Sequence, residues 1–164
     1  MSFHIRDARQ EDLAVVGQLA GRLVRMHHGY DPARWMLVDG VEAGYARYFA
    51  SQLGNPGTII LVVEDQATGE IVGYAYASLE ERNWADLRDA CGRLHDVFIV
   101  ERARRQGLAR SMLLECLRRL TALGTSLAVT TTAWQNQTSQ ALLRAIGFRP
   151  AALELAKDLH AAHG

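Results

Sequence analysis

The chain has 164 residues, 49% of them hydrophobic and 22% charged, which is the profile of one compact folded domain and excludes intrinsic disorder. Eighteen basic residues cancel eighteen acidic ones, so no global field draws the protein to nucleic acid and any anion site must be local. Cys91 and Cys116 fall in no metal-ligand or disulfide spacing, no apolar run is long enough to span a bilayer, and no leader pattern opens the chain. A cytoplasmic protein with no metal, no nucleic-acid partner and no membrane partner is expected.

Residues 3–8 read as an opening strand. Leu13, Val16, Leu19 and Leu23 then recur at helical spacing up to about His27, where His27-His28-Gly29-Tyr30-Asp31-Pro32 is expected to break the helix. A second helix is predicted over 41–53, ended by Gly54-Asn55-Pro56-Gly57. The β-rich segments 58–64 and 71–78 flank a polar turn and predict an antiparallel pair, and 93–100 predicts a further strand. Leu108, Met112, Leu113, Cys116 and Leu120 form one stripe of a third helix. A Val/Thr-rich strand at 127–132, a short helix at 137–146 ended by Gly147 and a closing strand at 148–156 complete the pattern. The expected architecture is a single domain over 1–164 of the α/β (α+β) class, a mixed and largely antiparallel central sheet flanked by helices.

The chemistry concentrates where the 93–100 strand delivers an Arg-rich loop to a helix start. Unpaired backbone N–H groups, the helix dipole and guanidinium charge all attract phosphate there. Gly107 permits close backbone approach and Ala109 keeps the first helical turn thin. The Gly-rich loops of nucleoside triphosphate and dinucleotide sites are absent from the sequence.

Arg104-Arg105-Gln106-Gly107-Leu108-Ala109 resembles the acyl-CoA pyrophosphate signature Arg/Gln-x-x-Gly-x-Gly/Ala of the GNAT acyltransferase superfamily. As in that family, the segment follows a hydrophobic strand and opens an amphipathic helix. Downstream, Asn136, Leu142 and Ile146-Gly147-Phe148 are similar to the family's Asn-bearing turn, helix and Gly-Phe ending. The resemblance implies acetyl-CoA as cosubstrate, held in a wedge between a splayed strand pair, 97–100 and 127–132. Pantetheine would pair with backbone around Phe98 and Val100. The pyrophosphate would rest on N–H groups from Arg105 through Gln106, Gly107, Leu108 and Ala109 to Arg110, with Arg104 beside them and Asn136 orienting pantetheine or water. Asn136 is equally suited to cap the helix that follows it.

A primary amine is protonated at neutral pH and needs a proton acceptor before it attacks a thioester. The resemblance makes His95 the first candidate, because members often carry a Glu or His there, and a neutral imidazole is available near pH 7. Asp96 is the second, and strand alternation is expected to turn the two to opposite faces. The family's oxyanion donor is a strand N–H, which here suggests Ile99. Leu143 stands where the family often has an acid tyrosine, leaving water, Ser139 or Tyr76 as substitutes. Cys116 lies on the apolar stripe, so transfer through an acyl-cysteine is not expected.

For the acceptor side the resemblance points to the first helical region, the link before the 93–100 strand and the second motif. The candidates there are Tyr30, Trp35, Glu80, Trp84 and Trp134, since aromatics with nearby carboxylates suit a cationic amine. The expected activity is direct N-acetylation of a primary amine on a small molecule or peptide, the alternative being a non-catalytic acyl-CoA binding or sensing domain. A homodimer is consistent with the family, some members pairing through closing strands, but the 160–164 tail carries no interface pattern.

Overall fold

The computed structural model describes residues 2–159, so the 160–164 tail lies outside the described residues. The elements in order are β1 (Phe3–Asp7), α1 (Leu13–Tyr30), α2 (Val41–Gln52), β2 (Thr58–Asp65), β3 (Ile71–Glu80), β4 (Cys91–Ile99), α3 (Leu108–Ala122), β5 (Ala128–Thr130) and α4 (Gln137–Ala145). A 3-10 turn at Gln10–Asp12 precedes α1 and another at Glu101–Ala103 follows β4. The five strands lie in sequence order, antiparallel throughout except for the parallel pair β4–β5.

Strand alternation divides the core in two. Leu61, Val63, Val72, Ala75, Leu94 and Ile99 pack with Met112, Leu113, Cys116 and Leu120 of α3 on one face. Ile60, Val62, Tyr74, Tyr76 and Phe98 meet Val16, Leu19 and Leu23 of α1 and Phe49 of α2 on the other. The α1–α2 contact is close because Gly17 has no side chain: a Cβ there would lie 2.5 Å from the Glu42 carbonyl oxygen. This packing seats the C-terminal half of α1 over the outer part of β4.

Three boundaries differ from expectation. Helix α1 continues past His27 to Tyr30 and ends at Asp31, whose extended backbone is what the residue before a proline requires. β5 holds three residues rather than the six of 127–132, because its only ladder is with Gly92, Arg93 and Leu94. No closing strand forms over 148–156, and those residues lie without regular structure. Gly147 turns the chain at φ 100° and the Phe148 N–H bonds the Leu143 carbonyl, ending α4. Pro150 then removes a ladder donor, and no strand offers itself as partner. Among the described residues no helix is long and apolar enough to cross a membrane.

Candidate active site

The site grows out of an interruption in the sheet. β4 is laddered to β5 only through Gly92, Arg93 and Leu94, so from His95 to Ile99 its outer edge has no strand partner. The Val100 N–H donates to the Val72 carbonyl at 2.9 Å. Antiparallel alternation then commits Phe98 to β3 as well and turns the backbone groups of Val97 and Ile99 to the open edge. The backbone groups left open are therefore those of Val97 and Ile99, whereas those of Phe98 and the Val100 N–H, where amide pairing was expected, face β3. The Ile99 carbonyl accepts from Arg104 Nε at 2.9 Å, while its N–H faces the opening.

Beyond β4 the loop folds into a concave run of donors. Arg105 (φ 60°) and Gly107 (φ 76°) both adopt left-handed backbone, a conformation that costs a non-glycine residue such as Arg105 about 1–2 kcal/mol. The return is geometric, since alternating backbone handedness makes N–H groups converge into an anion-binding nest. Ser111 is the first residue of α3 to bond back, to the Gly107 carbonyl at 2.9 Å, and the N–H groups from Arg105 to Arg110 have no acceptor among the described residues. Arg104, Arg105 and Arg110 likewise have no acidic partner there. Arg102, by contrast, is tied to Asp65 at 3.2 Å and to Glu70.

At the other end of the opening, β4 carries a bulge. Tyr76 pairs with Asp96 but Ala77 pairs with Leu94, so His95 is an extra residue with no opposite number. The extra residue cancels the alternation that was expected to separate His95 from Asp96. His95 stacks on the Tyr76 ring, 4.4 Å between centroids at 15°, and Asp96 accepts from the Tyr74 hydroxyl at 3.1 Å; both tyrosines belong to the α1 face. Burial pushes the Asp96 carboxyl up to about 6, although the Tyr74 hydroxyl and the nearby His27 act the other way. Burial lowers the His95 imidazole below its ordinary value, opposed by Glu80 and assisted by Arg93. His95 Nε2 lies 2.8 Å from Ser78 Oγ.

One cavity of about 480 Å³ joins the two ends. Its wall includes His95 and Asp96, Phe98 and Ile99, Arg104 and Arg105, Gly107 to Arg110, and, across the gap, Asn136. Asn136 Oδ1 also caps α4 by accepting from the Ser139 N–H at 3.1 Å, so its capping role is realised. Val100 and Gln106 stay outside the wall. Of the acceptor-side residues Tyr30 and its neighbour His27 line it. Trp35 stands behind His27, 4.7 Å between ring centroids, and Glu80 is paired with Arg88 at 2.6 Å. Trp84 and Trp134 are 76% and 75% exposed on loops away from the wall. Leu143 is in the wall, as is Ser139, whereas the Tyr76 hydroxyl bonds that of Tyr48 at 2.7 Å and does not reach it.

Sequence reasoning missed Leu23 and Met26 of α1, which face the cavity two turns and one turn before Tyr30, and Thr132. The Thr132 hydroxyl is buried and has no hydrogen-bond partner, a polar atom that a ligand in the cavity would satisfy. The signal available was the Thr130-Thr131-Thr132 run at the point where a Val/Thr strand stops. Among the described residues no group of His, Cys, Asp or Glu is arranged to hold a metal ion.

The fold is shared with solved acetyltransferases. Glucosamine-6-phosphate N-acetyltransferase from Arabidopsis thaliana superposes with a TM-score of 0.70 at 16% identity, covering 97% of this chain and 99% of that one. An aminoglycoside N-acetyltransferase in complex with CoA gives 0.75 at 17% identity, covering 97% and 95%. A predicted acetyltransferase with acetyl-CoA from Clostridium acetobutylicum gives 0.75 at 14%, covering 99% and 100%. A comparison with curated protein sequences finds no match. The sequence profile of the acetyltransferase (GNAT) family matches residues 22–148, most of the chain and both ends of the cavity, and the chain belongs to that family.

Proposed function

We propose that this protein is an N-acetyltransferase that moves acetyl from acetyl-CoA directly to a primary amine of a small molecule or peptide. The observation that carries the reading is the continuity of one cavity from the free N–H groups at Arg105 to Arg110 to the paired proton acceptors His95 and Asp96. The residues present fit acyl-CoA. The nest and its unpaired arginines suit a pyrophosphate, the open backbone groups of Val97 and Ile99 suit the pantetheine amides, and the orphaned Thr132 hydroxyl faces the same space. Two of the solved relatives carry CoA or acetyl-CoA, which supports the same assignment here.

When bound, acetyl-CoA supplies a thioester whose carbonyl carbon forms the new C–N bond as its C–S bond breaks. Before attack the chain must take one proton from the ammonium to free its lone pair and place a donor on the carbonyl oxygen; the second N–H proton, lost as the amide forms, passes to the departing sulfur. His95 or Asp96 accepts the proton, since burial keeps the imidazole neutral and leaves the carboxyl basic enough to hold it near pH 6. Of the two N–H groups facing the open edge, Val97 and Ile99, the one that pantetheine leaves free is the available oxyanion donor. Leu143 offers no proton to the departing sulfur, which is a fair leaving group as thiolate; water or the Ser139 hydroxyl would protonate it. A purely sensing domain requires the loop but not two proton acceptors beside it.

Calorimetric titration with acetyl-CoA and with CoA, followed by thiol release in the presence of primary amines, tests the reading. Binding of both and amine-dependent release are expected. Absence of binding to either overturns it, and binding with no release for any amine leaves the sensing domain.

A further inference from the structure

The acceptor half of the cavity has a charge pattern narrower than the sequence suggested. Among the described residues the wall contains one carboxylate, Asp96. Its guanidiniums, Arg104, Arg105 and Arg110, all lie at the loop end. From α1 the wall takes Leu23, Met26, His27 and Tyr30, with Trp35 packed on the His27 ring, and from β4 it takes Phe98 as well as Asp96. Glu80, expected to serve the acceptor, is held between Arg88 at 2.6 Å and Arg93 at 3.6 Å.

Resting on the acetyltransferase reading above, we infer that the acceptor is a monoamine with an apolar or aromatic body, its single ammonium seated on Asp96 and its body against Leu23, Met26 and Tyr30. A charge taken out of water must meet an opposite charge, and this half supplies one. A polyamine or aminoglycoside would bring further ammonium groups with nothing to pair them. Nδ1 of His27 donates to the Leu23 carbonyl at 2.9 Å, which fixes the ring and leaves Nε2 as its free polar atom. A phosphate-bearing amine is the sharpest competitor, because two unpaired guanidiniums flank the Phe98 ring: Arg104 of the wall at 5.7 Å and Arg22, outside the wall, at 5.2 Å.

The test compares kcat/KM for phenethylamine, spermidine, an aminoglycoside and glucosamine-6-phosphate at fixed acetyl-CoA, read as CoA thiol release. The expected result is a preference of roughly 10-fold or more for phenethylamine over each of the others, the scale at which one unpaired buried charge discriminates. In Met26→Glu a second carboxylate enters the wall, and the spermidine-to-phenethylamine ratio should rise by roughly 10-fold relative to Met26→Gln, the neutral control of similar size. Preference for the polyamine, the aminoglycoside or the sugar phosphate overturns the inference and leaves the acetyltransferase reading standing. Equal rates on all four, or an unmoved ratio in a folded Met26→Glu, overturn it as well. Bound acetyl-CoA with no turnover of any amine overturns both.

Discussion

The two ends of the cavity are built from different materials. At the loop end the cavity presents backbone: six N–H groups whose direction is fixed by left-handed turns at Arg105 and Gly107 and by the start of α3. At the α1 end it meets side chains: Asp96 and His95, brought to one face by a single extra residue in β4, and the Leu23-to-Tyr30 stretch of a helix docked from the far end of the fold. A backbone site tolerates most side-chain changes and leaves a compact motif. A side-chain site is specific, depends on register, and leaves no motif at all. The shared end can therefore serve one cosubstrate across a family while the α1 end takes different acceptors.

Substitutions should separate the two ends, and the largest effect belongs to the side-chain end. Asp96→Asn should lower kcat by roughly 10²- to 10⁴-fold if the carboxylate takes the amine proton, with acetyl-CoA affinity unchanged. In the wild type kcat/KM should rise with pH as the acceptor loses its proton. If that acceptor is Asp96, His95→Ala retains a rise through about 6 and Asp96→Asn loses it. If it is His95, whose ordinary value burial lowers, the roles exchange. Stability should move the opposite way. A carboxyl raised from 3.8 to about 6 favours folding most below its unfolded value, and that contribution is lost as pH rises through about 6. Asp96→Asn, which keeps an acceptor for the Tyr74 hydroxyl, should therefore be more stable than wild type at pH 8, by up to about 3 kcal/mol in denaturant unfolding. Equal stability would mean that Asp96 is solvated.

Arg104→Glu with Arg105→Glu comes next. Reversing both charges at the nest should weaken acetyl-CoA binding by roughly 10- to 100-fold in calorimetry. The amine preference should not change, since neither residue is in the acceptor half. A shift in preference would collapse the distinction between the ends. The smallest expected effect is at Thr132, which lies between them. Thr132→Val should weaken acetyl-CoA binding by about 5-fold while leaving or slightly raising the melting temperature, because its buried hydroxyl has no partner in the protein.

Several features were legible in the sequence because they are local. The 3–4 spacing of α1 and α3, the hairpin of β2 and β3, the Arg-rich loop at the start of α3 and the Asn136 cap each need only neighbouring residues to be recognised. The strand expected over 148–156 failed because a strand is defined by its partner, and none is present for a segment opened by Pro150. His95 and Asp96 were both found by position, but the expectation that they diverge assumed a regular ladder. The bulge opposite Tyr76 and Ala77 is a property of pairing between strands, so nothing in the run His95-Asp96-Val97 announces it.

The sequence by itself determined the family, the order of elements as far as α4 and the anion-binding loop, since these rest on short-range patterns of donors, glycine and apolar periodicity. Tertiary structure alone decided which aromatics and carboxylates share the cavity. Glu80 was claimed by Arg88, Trp84 and Trp134 were left to solvent, and Met26 and Tyr30 were brought to the same cavity as Asp96. Those outcomes depend on how helices dock, strands register and loops fold back, where packing chooses among side chains that composition and spacing leave equivalent.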